Sequence, residues 1–125
     1  MLSLPNSSNL RFVQKISDLE FVVSDNFVKF LYINIETRKI LELPYFNYGS
    51  VSNEEIVWLY DGKLFSLNRI TLILNSIVFD NNNCSILENK NNRMLFYKQY
   101  QSEGGVFFEI FEYKNLKVNS LIKNK

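Results

Sequence analysis

Two apolar runs flank the dipeptide Asp61-Gly62 in the stretch Glu55 to Leu74, EIVWLYDGKLFSLNRITLIL, and no other feature constrains the fold as strongly. A two-residue type I′ turn needs positive φ at both central residues, which Asp tolerates and Gly adopts freely. Closing the chain there pairs Tyr60 with Lys63, Leu59 with Leu64, Trp58 with Phe65, Val57 with Ser66 and Ile56 with Leu67. One face of the hairpin then carries Ile56, Trp58, Phe65 and Leu67, and the other Val57, Leu59, Leu64 and Ser66. Apolar residues on both faces predict a hairpin central in its sheet.

The surrounding chain repeats that pattern. Leu19 to Val23 and Phe27 to Ile35 are β-branched and aromatic around the turn residues Ser24-Asp25-Asn26, which predicts a second hairpin. Glu36-Thr37-Arg38 turns the chain into a strand over Lys39 to Leu43, and Pro44 ends regular pairing. In Arg69 to Leu74, Ile70, Leu72 and Leu74 alternate with Arg69 and Thr71, the pattern of a half-buried strand. Asn75-Ser76, Asp80 to Asn83, Asn89 to Asn92 and Gly104-Gly105 punctuate the remaining short pieces, Ile77 to Phe79, Cys84 to Leu87, Arg93 to Tyr100 and Val106 to Tyr113. Leu10 to Leu19 fits both a helix face and a strand face, with strand preferred. The aromatic fraction of 15% and the absence of Ala, the best helix former, lean the same way.

These signals predict an all-β domain spanning 1-125, mainly an antiparallel meander with at most one or two short helices, barrel-like or a two-layer sandwich. Residues 1-9 read as a loose lead-in. The stretch 114-125 also reads as a loosely ordered end, open between a short helix, an edge strand and a frayed tail. Residues 32–44, YINIETRKILELP, resemble the strand, polar turn and returning Leu-Pro of a β-propeller blade. A propeller needs at least four blades of four strands, more than 125 residues supply, so the segment is taken as a local pair of strands.

Charge and chemistry narrow the roles. A net charge of +1 argues against duplex nucleic acid, whose binders carry a clustered basic excess. Without His and with one Cys, a zinc site has no ligand set and the usual general base is missing, so neither metal nor cofactor is expected. Asp18 with Glu20 and Glu109 with Glu112 read as solvated edge carboxylates, and Ser120-Leu121-Ile122-Lys123 matches the spacing of a Ser-x-x-Lys nucleophile by chance, in a polar tail. Gly104-Gly105 is followed by a strand and not a helix, so it suits a hairpin and not a phosphate. The chain is therefore not expected to be an enzyme. Cys84 reads as a small buried hydrophobe, no apolar run reaches the roughly 20 residues of a membrane-spanning helix, and a reducing cytoplasm is the expected location.

The candidate site is the long segment Pro44 to Glu55, PYFNYGSVSNEE. It offers Tyr45 and Tyr48 either as partner anchors, with Glu54 and Glu55 as rim charges, or as rings that fold back with Phe46 to cap one end of the sheet, the more frequent arrangement, with Phe46 first among the three to turn inward. A second candidate is the aromatic strand with Tyr97 and Tyr100 beside Lys98, an arrangement that suits single-stranded nucleic acid or core packing. The leading expectation is a small cytosolic protein that covers another protein, such as an immunity protein that blocks a cognate toxin or a phage-type inhibitor of a defence enzyme. Its grounds are the absence of a catalytic constellation, the aromatic and acidic loop, and a base-composition bias common in horizontally acquired genes. The alternatives are a β-barrel holding a small ligand and, less favoured, a single-stranded nucleic-acid binder.

Overall fold

The computed structural model describes residues 10–25, 29–80, 84–90, 93–114 and 117–123. Every regular element among them is a β-strand, and none is a helix long and apolar enough to cross a membrane. The chain forms two compact units, residues 1–49 and 50–125.

The first unit holds one four-stranded antiparallel meander, β1 (Leu10–Ser17), β2 (Glu20–Asp25), β3 (Lys29–Asn34) and β4 (Lys39–Leu43), hydrogen-bonded in sequence order. The ambiguous segment 10–19 is thus strand over Leu10–Ser17, with Asp18 and Leu19 in the turn to β2, and it has register shifts between Phe12 and Gln14 and between Lys15 and Ser17. Leu31, Tyr32 and Ile33 on β3 are all buried, as a central strand of apolar composition requires. Glu20 is buried too, and its carboxylate accepts hydrogen bonds from the Tyr32 hydroxyl at 2.5 Å and the Ser17 hydroxyl at 2.7 Å. Asn34 Oδ1 accepts from the amides of Glu36 and Thr37, which builds the β3–β4 turn, and Arg38 takes a φ of 61° within it.

The second unit holds two further meanders. One is β5 (Ser50–Val51), β6 (Glu55–Tyr60), β7 (Lys63–Asn68) and β8 (Leu74–Val78). The other is β9 (Cys84–Lys90), β10 (Arg93–Ser102), β11 (Gly105–Lys114) and β12 (Lys117–Lys123). The Asp61-Gly62 hairpin has the expected register from Glu55↔Asn68 to Tyr60↔Lys63, with φ of 47° at Asp61 and 74° at Gly62. It occupies the two central positions of its sheet. Its Val57 and Leu64 share a core with Phe79, Met94, Phe96 and Tyr113, so these two sheets pack as layers. The Phe79 ring lies 5.4 Å from the ring of Phe96 and 5.4 Å edge-on to Phe111. On the opposite face of the hairpin Trp58, fully buried, stacks on Phe65 at 5.4 Å and 15°.

The meander expectation holds, and no closed barrel forms among the described residues. Three four-stranded antiparallel sheets are present among the described residues. Several boundaries differ from the sequence reading. Residues 69–73 form a turn and not a strand: Asn68 Oδ1 accepts from the amides of Ile70 and Thr71, Leu72 N–H donates to the Asn68 carbonyl, and Leu72 takes a φ of 59°. Asn75 and Ser76, read as punctuation, lie inside β8, opposite Ser66 and Phe65. Ser24 and Asp25, read as turn residues, belong to β2 and pair with Phe30 and Lys29. Asn89, read as a turn, lies in β9. Within the tail stretch, Lys117–Lys123 form the edge strand β12 on β11. The lead-in 1–9 and residues 26–28, including Phe27, lie outside the described residues.

Candidate functional site

The loop that follows β4 is shaped by three local features. Pro44 cannot donate a ladder hydrogen bond, so pairing stops there. Tyr45 then takes a φ of 46°, a left-handed conformation that is costly for a bulky residue and persists only where its surroundings over-determine it. That turn drives the Phe46 ring inward, 2% exposed and 6.4 Å from the ring of Phe30 on β3. Asn47 Oδ1 accepts a hydrogen bond from the Tyr48 amide at 2.6 Å.

The far end of the loop is fixed by Gln14 on β1. Its Nε2 donates to the Gly49 carbonyl at 2.8 Å and its Oε1 accepts from the Gly49 amide at 2.7 Å, both bonds buried. A carboxamide carries one donor side and one acceptor side, so it pairs with Gly49 as a neighbouring strand would. The register shift between Phe12 and Gln14 lies immediately before it on β1, where a bulge re-aims the strand's side chains. With Phe46 sunk and Gly49 clamped, Tyr45 and Tyr48 are left 62% and 70% exposed.

Glu54 and Glu55 belong to the second unit, in and beside the β5–β6 turn. Ser52 N–H donates to the Glu55 carbonyl at 2.8 Å, the Glu55 amide donates to Ser52 Oγ at 3.1 Å, and Arg69 Nη1 donates to the Ser52 carbonyl at 2.6 Å. The Glu55 carboxylate is half-buried and accepts from the Ser66 hydroxyl at 3.0 Å, so it serves this turn. Glu54 is exposed, with its carbonyl accepting from the Arg69 amide at 2.8 Å.

Tyr97 and Tyr100 lie on opposite faces of β10, since its register with β11 runs without a shift. Tyr97 stacks on Phe108 at 5.7 Å. Tyr100 faces Phe107 at 6.4 Å, with Lys123 Nζ 6.0 Å from its ring centre and its own hydroxyl buried without a partner among the described residues. The two rings therefore do not form a single stacking platform. Beside them, Lys98 Nζ donates to both the carboxylate and the carbonyl of Asp80, at 2.9 and 3.0 Å. Cys84, opposite Lys98, packs partly against the core, and desolvation pushes its thiol up to about 11 against the pull of the Lys98 charge.

Among the described residues no group of three or more His, Cys, Asp or Glu side chains is placed to hold a metal ion. Compared with family models, curated proteins and solved structures, the chain matches none.

Proposed function

We propose that the protein is a small protein-binding module that acts by covering another protein, with Tyr45 and Tyr48 as its anchors. The observation that carries this reading is the construction of the loop. A left-handed Tyr45, an inward Phe46 and a two-bond clamp from Gln14 to Gly49 hold two tyrosines exposed on ordered backbone. Backbone strain that the surroundings stabilise is a mark of functional loops, and pre-organised aromatic anchors bind with little ordering cost. Tyrosine adds a hydroxyl that bonds in a wet rim, which makes it a frequent hot-spot residue.

A module of this kind suits the masking of a toxin or defence enzyme in a reducing cytoplasm, where an immunity protein works. Affinity capture from the native host, run in parallel with wild type and with the Tyr45→Ala/Tyr48→Ala double variant, tests the reading. The expected result is a protein retained by wild type and lost by the variant at unchanged melting temperature. Retention of the same protein by both would move the interface elsewhere.

A further inference from the structure

Among the described residues, β8 is the one sheet edge that is neither interrupted nor charged. β1 carries Arg11 and Lys15 and two register shifts, and β4 carries Lys39 and Glu42. β5 has two residues, β9 carries Glu88 and a register shift, and β12 carries Lys117, Lys123 and a shift. Charges, bulges and shortness are the devices that keep edge strands from pairing with other chains. β8, Leu74-Asn75-Ser76-Ile77-Val78, pairs with β7 in unbroken register and has none of the charges or bulges. Apolar side chains also crowd this edge: Val78 is 89% exposed, and Ile70 and Ile73 in the preceding turn are exposed as well.

The hydrogen bonds fix which backbone groups point outward. The Phe79 amide donates to the Gly62 carbonyl at 2.8 Å and the Asn68 amide to the Ile73 carbonyl at 3.0 Å. In an antiparallel ladder bonded pairs alternate with non-bonded ones, so residues 73, 75, 77 and 79 face β7. Leu74, Ser76 and Val78 therefore turn their N–H and C=O groups away from the sheet. That spacing is self-complementary. With two copies antiparallel about Ser76, Ser76 meets Ser76 and Leu74 meets Val78, all as hydrogen-bonded pairs, giving about six main-chain bonds. Leu74 and Val78 lie on one face of the strand, so the apolar side chains also meet, and no charge is set against its like.

We propose that β8 is a homodimerisation edge, at which a second copy of this chain adds antiparallel about Ser76 to make one continuous sheet across a two-fold axis. Such a contact is closed, because each copy uses the one bare edge found among its described residues. Sedimentation equilibrium of the full chain across a concentration series reads it directly. The expected mass rises from the 14.8 kDa of one chain to twice that value. Ser76→Pro removes an outward N–H that β7 does not use, and Val78→Lys adds a charge at an exposed site. Each should weaken self-association at least about tenfold with the circular dichroism spectrum unchanged.

Register is tested separately by oxidation in a Cys84→Ser background. Facing Cα atoms of a bonded pair lie about 5.5 Å apart, within disulfide reach, so Ser76→Cys should cross-link and Asn75→Cys should not. Should Ser76→Pro fail to fold, Val78→Lys and the cross-link decide. A monomeric mass up to about 1 mM, a dimer indifferent to Val78→Lys, or a mass that grows without limit would each overturn the proposal.

Discussion

Gln14 and Gly49 are joined by two buried hydrogen bonds, one in each direction, across a separation of 35 residues. The pair ties an edge strand to the end of the loop that carries both exposed tyrosines. Removing the carboxamide leaves a buried amide and a buried carbonyl without partners, at about 1 to 3 kcal/mol each. Gln14→Ala is therefore expected to destabilise the protein by about 2 to 6 kcal/mol and to speed hydrogen exchange at the Gly49 amide. Gln14→Glu keeps the acceptor and loses the donor. Its introduced carboxyl should recover stability at acid pH, where protonation restores an O–H toward the Gly49 carbonyl. Unchanged exchange at Gly49 in both variants would separate the clamp from the loop.

Trp58 and Phe65 give the second prediction. A fully buried indole stacked at 5.4 Å loses both its burial and its ring contact when truncated. Trp58→Ala is expected to cost about 3 to 5 kcal/mol in chemical denaturation. Native emission should sit at the short wavelengths of an indole shielded from water, and emission typical of a hydrated indole would contradict the packing.

That pair was legible in the sequence because Asp61-Gly62 fixes a turn type, the turn type fixes the register, and the register fixes which side chains meet. The same logic makes Glu55 and Ser66 diagonal neighbours, although it does not announce that the carboxylate is used there. Where no dipeptide anchors the turn, pattern misleads. Ile70, Leu72 and Leu74 alternate as a strand would, yet the Asn68 side chain captures two amides and bends the chain first. Ser24 and Asp25 have turn chemistry but are drawn into β2 by pairing with β1 on one side and β3 on the other, and the β1 partners Arg11 and Leu10 are far enough along the chain that local propensity does not register them. Within the site, the split between an inward Phe46 and outward Tyr45 and Tyr48 follows from side-chain polarity. Gln14 does not, because a polar residue on an ambiguous strand gives no sign of a partner so far along the chain.

Cys84 supplies a pH-dependent prediction. Its thiol, raised from 9.0 to about 11 chiefly by desolvation, stays protonated at neutral pH, so alkylation of the native protein should be slow and should accelerate toward pH 11. The sign for stability follows from proton binding. Between about 9 and 11 the unfolded chain has released a proton that the folded chain retains. The contribution of this group is thus fully present below pH 9 and is lost as pH rises through 11. Cys84→Ser should flatten that part of the stability profile. A rapid reaction with iodoacetamide at pH 7 would show that the thiol is not held in this environment.

The loop tyrosines give the last prediction, and it depends on stability and binding separating. Tyr45 and Tyr48 are 62% and 70% exposed, on a backbone held by the inward Phe46 and the clamped Gly49. Tyr45→Ala and Tyr48→Ala should leave the melting temperature nearly unchanged while weakening partner binding by roughly 2 kcal/mol each. Tyr45→Gly sharpens the test, because glycine adopts the left-handed φ of 46° without steric cost and so removes the ring while relieving the strain. Phe46→Ala should behave in the opposite way, lowering the melting temperature through a cavity against Phe30 and weakening binding only as the loop loosens. Glu54 lies in the second unit and is exposed, so replacing it by Gln should leave the melting temperature nearly unchanged. Replacing Glu55 by Gln should instead register in stability, since its carboxylate accepts the Ser66 hydroxyl within the protein. If both tyrosine variants melt many degrees lower, the rings support the fold and the interface must lie on another surface.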